Sequence, residues 1–541
     1  MAEPDATARG ESDVVVVGAG FAGLHLLHSL RNAGFSVRVL EAGGGVGGTW
    51  YWNRYPGARC DVQSLEYSFG FDPDLEQEWD WTEKYATQDE ILRYLDHVAD
   101  RYDLRRDIHF DTRVTRAAFA DTTNQWTVET ERGERFTCRF LVAATGCLSS
   151  ANLPDIPGRD SFAGPTYHTG RWPHDGVDFT GLRVGVIGTG SSAVQSIPII
   201  AEQAADLTVF QRTATYSVPA YNAPLSPEHR AGVKARYRDV RAINRTTFTG
   251  YGALSALPEQ TRPFAELDDD ERQQRLEEAW RVGGLTFLGA FMETIISPEV
   301  NEYVAEFVRA KIRAIVRDPE VAELLCPRQP IGCKRLCVDT GYYETFNRPN
   351  VHLVDISAHG IEAITSTGIR ANGADHELDA IVFATGFDAM TGALLKIGIE
   401  GADGRTLADA WKEGPKTYLG LAVHGFPNLF LVTGPGSPSV LTNMVTSIEQ
   451  HTEWITECLT SLRAGGHERI EADAQAVEEW VAYVNTVADF TLLPNCNSWY
   501  LGANIPGKPR VFMPLPGFPP YADRCAEVAA RGYEGFVIDG A

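Results

Sequence analysis

Two glycine-rich runs carry the first chemical signal in the chain: Gly18-Ala19-Gly20-Phe21-Ala22-Gly23 and Gly188-Thr189-Gly190-Ser191-Ser192-Ala193. Glycines spaced G-x-G-x-x-G turn the backbone tightly, let a pyrophosphate approach main-chain N–H groups, and let a helix pack closely on a strand. Gly18, Gly20 and Gly23 fill those three roles in the first run. In the second, Gly188 and Gly190 fill two of them, and Ala193 takes the third, where only a small side chain is required. The helix opened by each run offers its N–H groups and positive dipole end to the phosphates.

The flanking residues supply the elements that such turns need. Asp13-Val14-Val15-Val16-Val17 reads as a buried parallel strand, the apolar spacing from Leu24 to Leu30 as a helix ended by Gly34, and Ser36 to Leu40 as a second strand. That strand stops at Glu41, whose carboxylate can accept hydrogen bonds from ribose hydroxyls and disfavours a 2′-phosphate, so the first turn suits FAD or NAD. The second unit has a strand from Leu182 to Ile187, a helix running through Ile197 to Ala205, and a strand from Leu207 to Phe210. It ends in Gln211-Arg212-Thr213. A cation at this place pairs with a 2′-phosphate, so the second turn suits NADPH.

Two further buried strands, from Phe140 and from Ala380, each run into Ala-Thr-Gly, at Ala144-Thr145-Gly146 and Ala384-Thr385-Gly386. Only small residues fit where a strand passes close to a cofactor. One precedes the second nucleotide unit and one follows it, which predicts an insertion. The stretch 226–325 is charged, with helical periodicity. The expected fold is therefore α/β, with two Rossmann-like dinucleotide-binding domains, the second inserted in the first, and a helical subdomain. The expected boundaries are 1–148 and 385–541 for the FAD-binding domain, 149–225 and 326–384 for the NADP-binding domain, and 226–325 for the helical insertion.

Composition narrows the partners. The 541 residues carry 48 basic and 72 acidic side chains, a formal charge of −24, which repels nucleic acid and anionic lipid. The 44% hydrophobic and 22% charged residues are those of an ordinary globular protein. The nine cysteines are scattered and odd in number, with no Cys-x-x-Cys, and Cys333 and Cys337 stand one residue too far apart for a thioredoxin-type motif. They read as a reduced set without a disulfide framework or a metal site. The segment from Met1 to Asp13 is polar, and no apolar run approaches ~18 residues, so the expectation is a cytoplasmic protein without a membrane segment. A monomer is compatible with the sequence, which sets no oligomeric state.

Two nucleotide sites in one chain imply a flavin reduced by a nicotinamide. Two other segments bear on what the flavin then does. Gly47 to Asp61 combines Trp50, Tyr51, Trp52, Arg54, Arg59 and Asp61 around a Gly-Pro turn. Phe162-Ala163-Gly164-Pro165-Thr166-Tyr167-His168-Thr169-Gly170-Arg171-Trp172-Pro173 lies ahead of the second nucleotide unit and reads as a linker. His168 alone reads as a structural histidine, and its place between the units suits a hinge.

The chain resembles the type I Baeyer–Villiger monooxygenases, closest to the phenylacetone and steroid monooxygenase branch. Phe162, Gly164, His168, Thr169, Trp172 and Pro173 fill every fixed place of the family fingerprint FxGxxxHTxxW(P/D). Gly48, Trp50, Tyr55, Pro56, Gly57 and Asp61 fill its second signature. Gly434 to Ser439 and Trp499 to Gly507 are also typical of that branch. The resemblance implies FAD held by Gly18, Gly20, Phe21, Gly23, Glu41, Gly48, Thr49, Trp50, Asp61, Tyr67 and Met444. It implies NADP held by Arg59, Cys60, Gly188, Thr189, Gly190, Ser191, Ser192, Gln195, Arg212, Thr213, Lys334, Arg335 and Trp499. It makes Arg335 the catalytic cation over the flavin, with Asp61 holding it, in oxidation of aryl or bulky, cyclic ketones to esters or lactones by NADPH and O2 through a C4a-peroxyflavin. A fixed guanidinium suits that chemistry because it stabilises developing negative charge and does not deprotonate. No metal is implied. The substrate pocket is expected around Cys147, Leu148, Ser439 to Met444 and Pro514 to Tyr521. The rival readings are an N- or S-oxygenating flavin monooxygenase, a flavin disulfide reductase and a non-catalytic nucleotide sensor.

Overall fold

A computed structural model of the chain describes residues 8–255, 257–510 and 517–539. Most of the polar N-terminal stretch and the Pro514–Pro516 part of the expected pocket lie outside the described residues.

An eight-stranded sheet is built around Ala8–Val17, which pairs in parallel with Val37–Leu40 on one side and Arg135–Ala143 on the other. Val14, Val15 and Val16 are all 0% exposed. Side chains alternate across a strand, so a continuous valine run requires cover on both faces, and the two faces indeed belong to separate cores. Val14 and Val16 pack with the helix Phe21–Asn32, while Val15 packs with Trp126, Leu141 and Leu431. Val114–Ala120 and Gln125–Thr130 extend this sheet as antiparallel strands, which the βα pattern did not reveal.

The second sheet has five strands, all parallel, in the order Val351–Asp355, Asp206–Gln211, Arg183–Ile187, Ala380–Phe383, Thr166–His168. Every one of them falls between Arg135–Ala143 and Gly398–Glu400 of the first sheet, so the second dinucleotide-binding unit is inserted in the first. Two expectations are corrected here. The segment read as a linker contributes the edge strand Thr166–His168, because its backbone pairs with Ala380–Phe383. The helix Ser191–Gln203 stops short of Ala205, because Ala204 turns to ψ 140 and leaves the helical region.

Between Ser217–Pro219 and Cys337–Asp339 the described chain is helical, with Pro227–Lys234, Tyr237–Thr246, Asp269–Val282, Pro298–Ile315 and Pro319–Leu325. The starts are written locally. Ser226, Ser297 and Asp318 cap helices that begin with proline, and Asp268 with Glu271 forms a reciprocal capping box. A buried ionic network ties this part to the first unit: Arg241 meets Glu76 at 2.9 Å, and the Gly70 N–H donates to Glu449 at 2.6 Å. Glu449 lies on the long helix Met444–Gly465, which packs against Phe21–Asn32.

The expectation of nine reduced cysteines is also corrected. Cys333 is bonded to Cys496, with Cα atoms 5.9 Å apart and a sequence separation of 163. Only the tertiary fold brings two such distant positions together. The other seven cysteines are free and buried. Among the described residues, no helix is long and apolar enough to cross a membrane.

Candidate active site

The first glycine-rich turn is shaped by close backbone approach. Gly18 has φ +107°, and a Cβ there would lie 2.6 Å from the Ala144 carbonyl oxygen, while one on Gly23 would lie 1.8 Å from that of Gly18. Glu41, at the end of Val37–Leu40, accepts from the Ala19 and Gly43 N–H groups, both at 2.7 Å. Burial pushes its carboxyl up against the opposing pull of those N–H donors. Phe21 opens the helix and meets Tyr67 edge-on, and the Trp50 indole N–H donates to the Tyr67 hydroxyl at 3.3 Å. Thr49 is exposed at the start of Thr49–Trp52, and Gly48 backs onto Gly20. Met444 begins its helix beside the apolar cluster described below.

The second turn leaves room of a particular kind. A Cβ on Gly190 would meet no protein atom within 4 Å, so the space a pyrophosphate needs lies open in front of the helix Ser191–Gln203. The Thr189 hydroxyl donates to the Thr213 carbonyl at 2.6 Å, and Ser192 and Thr169 hydroxyls lie 3.1 Å apart. Ser191 faces the Cys337 sulfur at 3.3 Å. Lys334 is half-buried, and its ammonium is pushed down first by burial and then by the like charge of Arg212. A bound phosphate would relieve that repulsion, so this donor set fits NADPH.

Between the two turns stands Arg335. Its Nε and Nη2 donate to Asp61 Oδ2 and Oδ1 at 2.5 and 2.9 Å, and its Nη1 donates to the Val440 carbonyl. The two side chains are 18% and 23% exposed. Burial alone would lower the guanidinium, but the Asp61 carboxylate overrides it and holds the charge firmly. Tyr251 and Tyr500 face the same guanidinium, and burial pushes both phenols up, so they stay protonated. Neither tyrosine was assigned from the sequence. Tyr500 lies inside a motif that draws the eye to Trp499, and Tyr251 carries no local signal at all.

Other expected residues are placed differently from one another. Gln195 Oε1 accepts from the Tyr55 hydroxyl at 2.8 Å and Nε2 donates to the Arg59 carbonyl at 3.1 Å, joining the Asp61 segment to the second turn. The Arg59 guanidinium is engaged by Glu83 and the Tyr85 carbonyl, and Cys60 is a core thiol pushed up by burial. His168 accepts from the Gly170 N–H at Nδ1, so Nε2 carries the proton and faces the Asn152 carbonyl at 3.2 Å. Burial lowers its pKa. Thr385 also donates to Asn152, so the histidine fastens the crossing between the two sheets. Thr169 is buried, Trp172 packs on Tyr167 and Phe179, Phe162 joins the core beneath the second sheet, Gly164 lies against the Asp379 carbonyl, and Pro173 is exposed.

Trp499 opens a short 3-10 turn and packs on Tyr500 with the rings tilted by 59° and their centroids 4.5 Å apart. Around them lies an apolar cluster that includes Cys147, Leu148, Val440, Leu441 and Met444 of the expected pocket. It also includes Phe248, Met390 and Leu493, which the sequence did not single out. Among the described residues no group of His, Cys, Asp and Glu stands where a metal could be held.

This arrangement has known counterparts. The pyridine nucleotide-disulphide oxidoreductase family description matches residues 15–251. Acetone monooxygenase (methyl acetate-forming) of Gordonia sp. (strain TY-5) is 43% identical over 531 residues, 97% of this chain and 99% of that protein. A Baeyer–Villiger monooxygenase of Pseudooceanicola batsensis is 41% identical over 538 residues, 98% of this chain and 97% of that protein. The chain belongs to the Baeyer–Villiger monooxygenase family. An oxidised steroid monooxygenase bound to NADP superposes on it with a TM-score of 0.93 at 53% identity, covering 98% of this chain and 100% of that one. The doubly dinucleotide-binding fold and the FAD- and NADPH-dependent oxygenation expected of a Baeyer–Villiger monooxygenase hold at this level. The disulphide oxidoreductase description is met in the paired nucleotide turns alone, since the sequence has no Cys-x-x-Cys.

Proposed function

We propose that the chain oxidises aryl and bulky, cyclic ketones to esters or lactones with NADPH and O2, with Arg335 as the cation at the reacting carbonyl. The observation that carries this is the Arg335–Asp61 pair, set between one turn that suits FAD and another that suits NADPH. The first turn would hold FAD and the second NADPH, and the bound pair would supply the reducing electrons for O2. The residues of the chain do the rest.

Asp61 and the Val440 carbonyl fix the plane of the Arg335 guanidinium before any substrate arrives. Three of its five N–H groups are engaged by these partners and the Tyr500 hydroxyl meets the same guanidinium, which leaves an N–H to meet an oxygen on which negative charge develops. Because they are fixed beforehand, they need no reorganisation during the reaction. Tyr251 and Tyr500, kept protonated, add neutral donors and exclude water on the same side. Lys334 and Arg212 select NADPH over NADH through the 2′-phosphate. Trp499 would contact bound NADP, and the cluster from Cys147 to Leu493 would supply an apolar wall for the ketone.

The same reading assigns the FAD-binding domain to 1–148 and 385–541, the NADP-binding domain to 149–225 and 326–384, and the helical insertion to 226–325. One chain supplies every group named, so a monomer suffices, and the cytoplasm is the compartment that keeps NADPH reduced.

The test is to mix FAD-loaded protein with NADPH, 18O2 and a ketone panel running from cyclohexanone through phenylacetone to larger ketones. The expected product is an ester or lactone carrying one 18O, with NADPH preferred over NADH. Oxygenation of amines or thioethers with no ester from any ketone would replace this reading by the N- or S-oxygenating one.

A further inference from the structure

The cystine stands at a place that the reaction does not require. Cys333 lies two residues before Arg335, and Cys496 lies three before Trp499 and four before Tyr500. The bond therefore ties the segment that presents the guanidinium to the segment that sets Tyr500 against it, with Trp499 packed on Tyr500. Both cysteines are buried, at 3% and 4% exposure. Beyond Cys496 the described chain to Arg510 has no helix or strand other than the turn Trp499–Leu501. Apart from the packing of Trp499, Tyr500 and Leu501 in the apolar cluster, its ties are polar. Asn504 donates to the Phe387 carbonyl at 2.7 Å, Lys508 pairs with Asp388, and Arg510 donates to the Cys496 carbonyl at 3.0 Å. Its first turn is anchored by the buried Ser498, Tyr500 and Leu501, while the stretch beyond it is irregular, so a covalent link at its root restricts its opening further.

We propose that Cys333 and Cys496 form a reversible redox clamp, which when closed holds Tyr500 on Arg335, with Trp499 packed on Tyr500, and when open releases both. Disulfides in reducing compartments are chiefly transient and redox-responsive, which fits a pair placed at a moving part rather than within a rigid core. Closure has a balanced chemistry with hydrogen peroxide as oxidant. One sulfur attacks a peroxide oxygen, the O–O bond breaks, and the first water leaves. The second sulfur then displaces that oxygen as a second water, forming the S–S bond, so two thiols are oxidised as one peroxide is reduced. Hydrogen peroxide is also what NADPH and O2 yield when no ketone consumes the oxygen. The clamp would thus close in response to wasteful turnover, a link that rests on the proposed function.

The test uses full-length, FAD-loaded protein, reduced and then titrated with hydrogen peroxide. Free thiols counted under denaturing conditions should fall from nine to seven, and peptide mapping should join Cys333 to Cys496. Nine persisting thiols, or a different pair, would overturn the clamp. Exchange of the Leu501, Gly502 and Ala503 amides, which donate to Ser498 and Trp499 carbonyls, should be at least tenfold slower in the oxidised protein. Equal exchange in the two states would also overturn it. Cys496→Ser should show the fast exchange whatever the peroxide, and a peroxide response like that of the parent would count against the proposal. With a ketone substrate, ester formed per NADPH should rise at least threefold on oxidation, and no rise would refute the link to turnover. If no ketone gives ester while thiol count and exchange behave as expected, the functional reading fails and the clamp stands.

Discussion

Arg335 and Asp61 are 274 residues apart in sequence and meet through two parallel N–H···O contacts, Nε to Oδ2 and Nη2 to Oδ1. Such a fork fixes orientation as well as charge, which a lysine, with a single rotatable ammonium, does not reproduce. Arg335→Lys is expected to keep NADPH binding and to lower ester formation by about 10²–10³-fold. Hydrogen peroxide should appear in place of ester. Steady-state kinetics with separate assays of NADPH, peroxide and ester decide it, and an ester rate within threefold of the parent would refute the role. Asp61→Ala leaves the cation buried without its carboxylate and should cost about 3 kcal/mol of stability in urea unfolding.

Lys334 and Arg212 make a prediction about pH. Burial and Arg212 push the Lys334 ammonium down, so it loses its proton at a lower pH than an ordinary lysine. The 2′-phosphate needs that proton. The KM for NADPH should therefore rise as pH increases through the depressed value, while the KM for NADH stays flat. In Lys334→Met the NADPH profile should flatten, with KM raised about tenfold or more at neutral pH. Parallel profiles for the two nucleotides would exclude this role.

Gly190 separates nucleotide binding from folding. A Cβ there meets no protein atom within 4 Å, so Gly190→Ala should change stability by less than about 0.5 kcal/mol. The methyl group nevertheless enters the space assigned to the pyrophosphate and should raise the KM for NADPH at least tenfold. Gly23→Ala is the contrast, because its Cβ would lie 1.8 Å from the Gly18 carbonyl oxygen. It should lose FAD and unfold at lower temperature. Thermal melts with and without nucleotide distinguish the two.

Glu449 is the group whose titration should show in stability. Burial pushes its carboxyl up to about 7, in spite of Arg241 and the Gly70 N–H. The folded chain thus binds this proton more tightly than the unfolded chain, where the value is about 4.3. Its contribution is complete below about pH 4.3 and is lost as pH rises through about 7. Glu449→Gln keeps an acceptor for Gly70 and should remove this slope, worth up to about 3 kcal/mol between pH 5 and 8. Urea midpoints at the two pH values measure it, and an unchanged slope would assign the pH dependence elsewhere.

The two dinucleotide units were legible because everything that makes them is local. Hard-sphere limits on φ at Gly18, the small side chain demanded at Gly23 or Ala193, and the apolar periodicity of the neighbouring strands and helices all act over short stretches. Glu41 and Arg212 could be read for the same reason, since each ends a strand at a fixed offset from its turn. The insertion followed from the order of the strands. The edge strand at Thr166–His168 was read as a linker because three residues are too few to show a period of two, and its pairing partner lies more than 200 residues away.

The reactive centre depends on distance of another kind. By itself the sequence determined two nucleotide turns and, through its motifs, the family. The resemblance pointed to Asp61 as the holder of Arg335, but only the tertiary structure decided the forked geometry of that pair, that Tyr251 and Tyr500 face it, and that Cys333 is bonded to Cys496. These contacts join segments that carry no mutual pattern along the chain. They form only when two sheets, a helical insertion and the C-terminal helices bury a common core and leave the polar groups at the seam to satisfy one another.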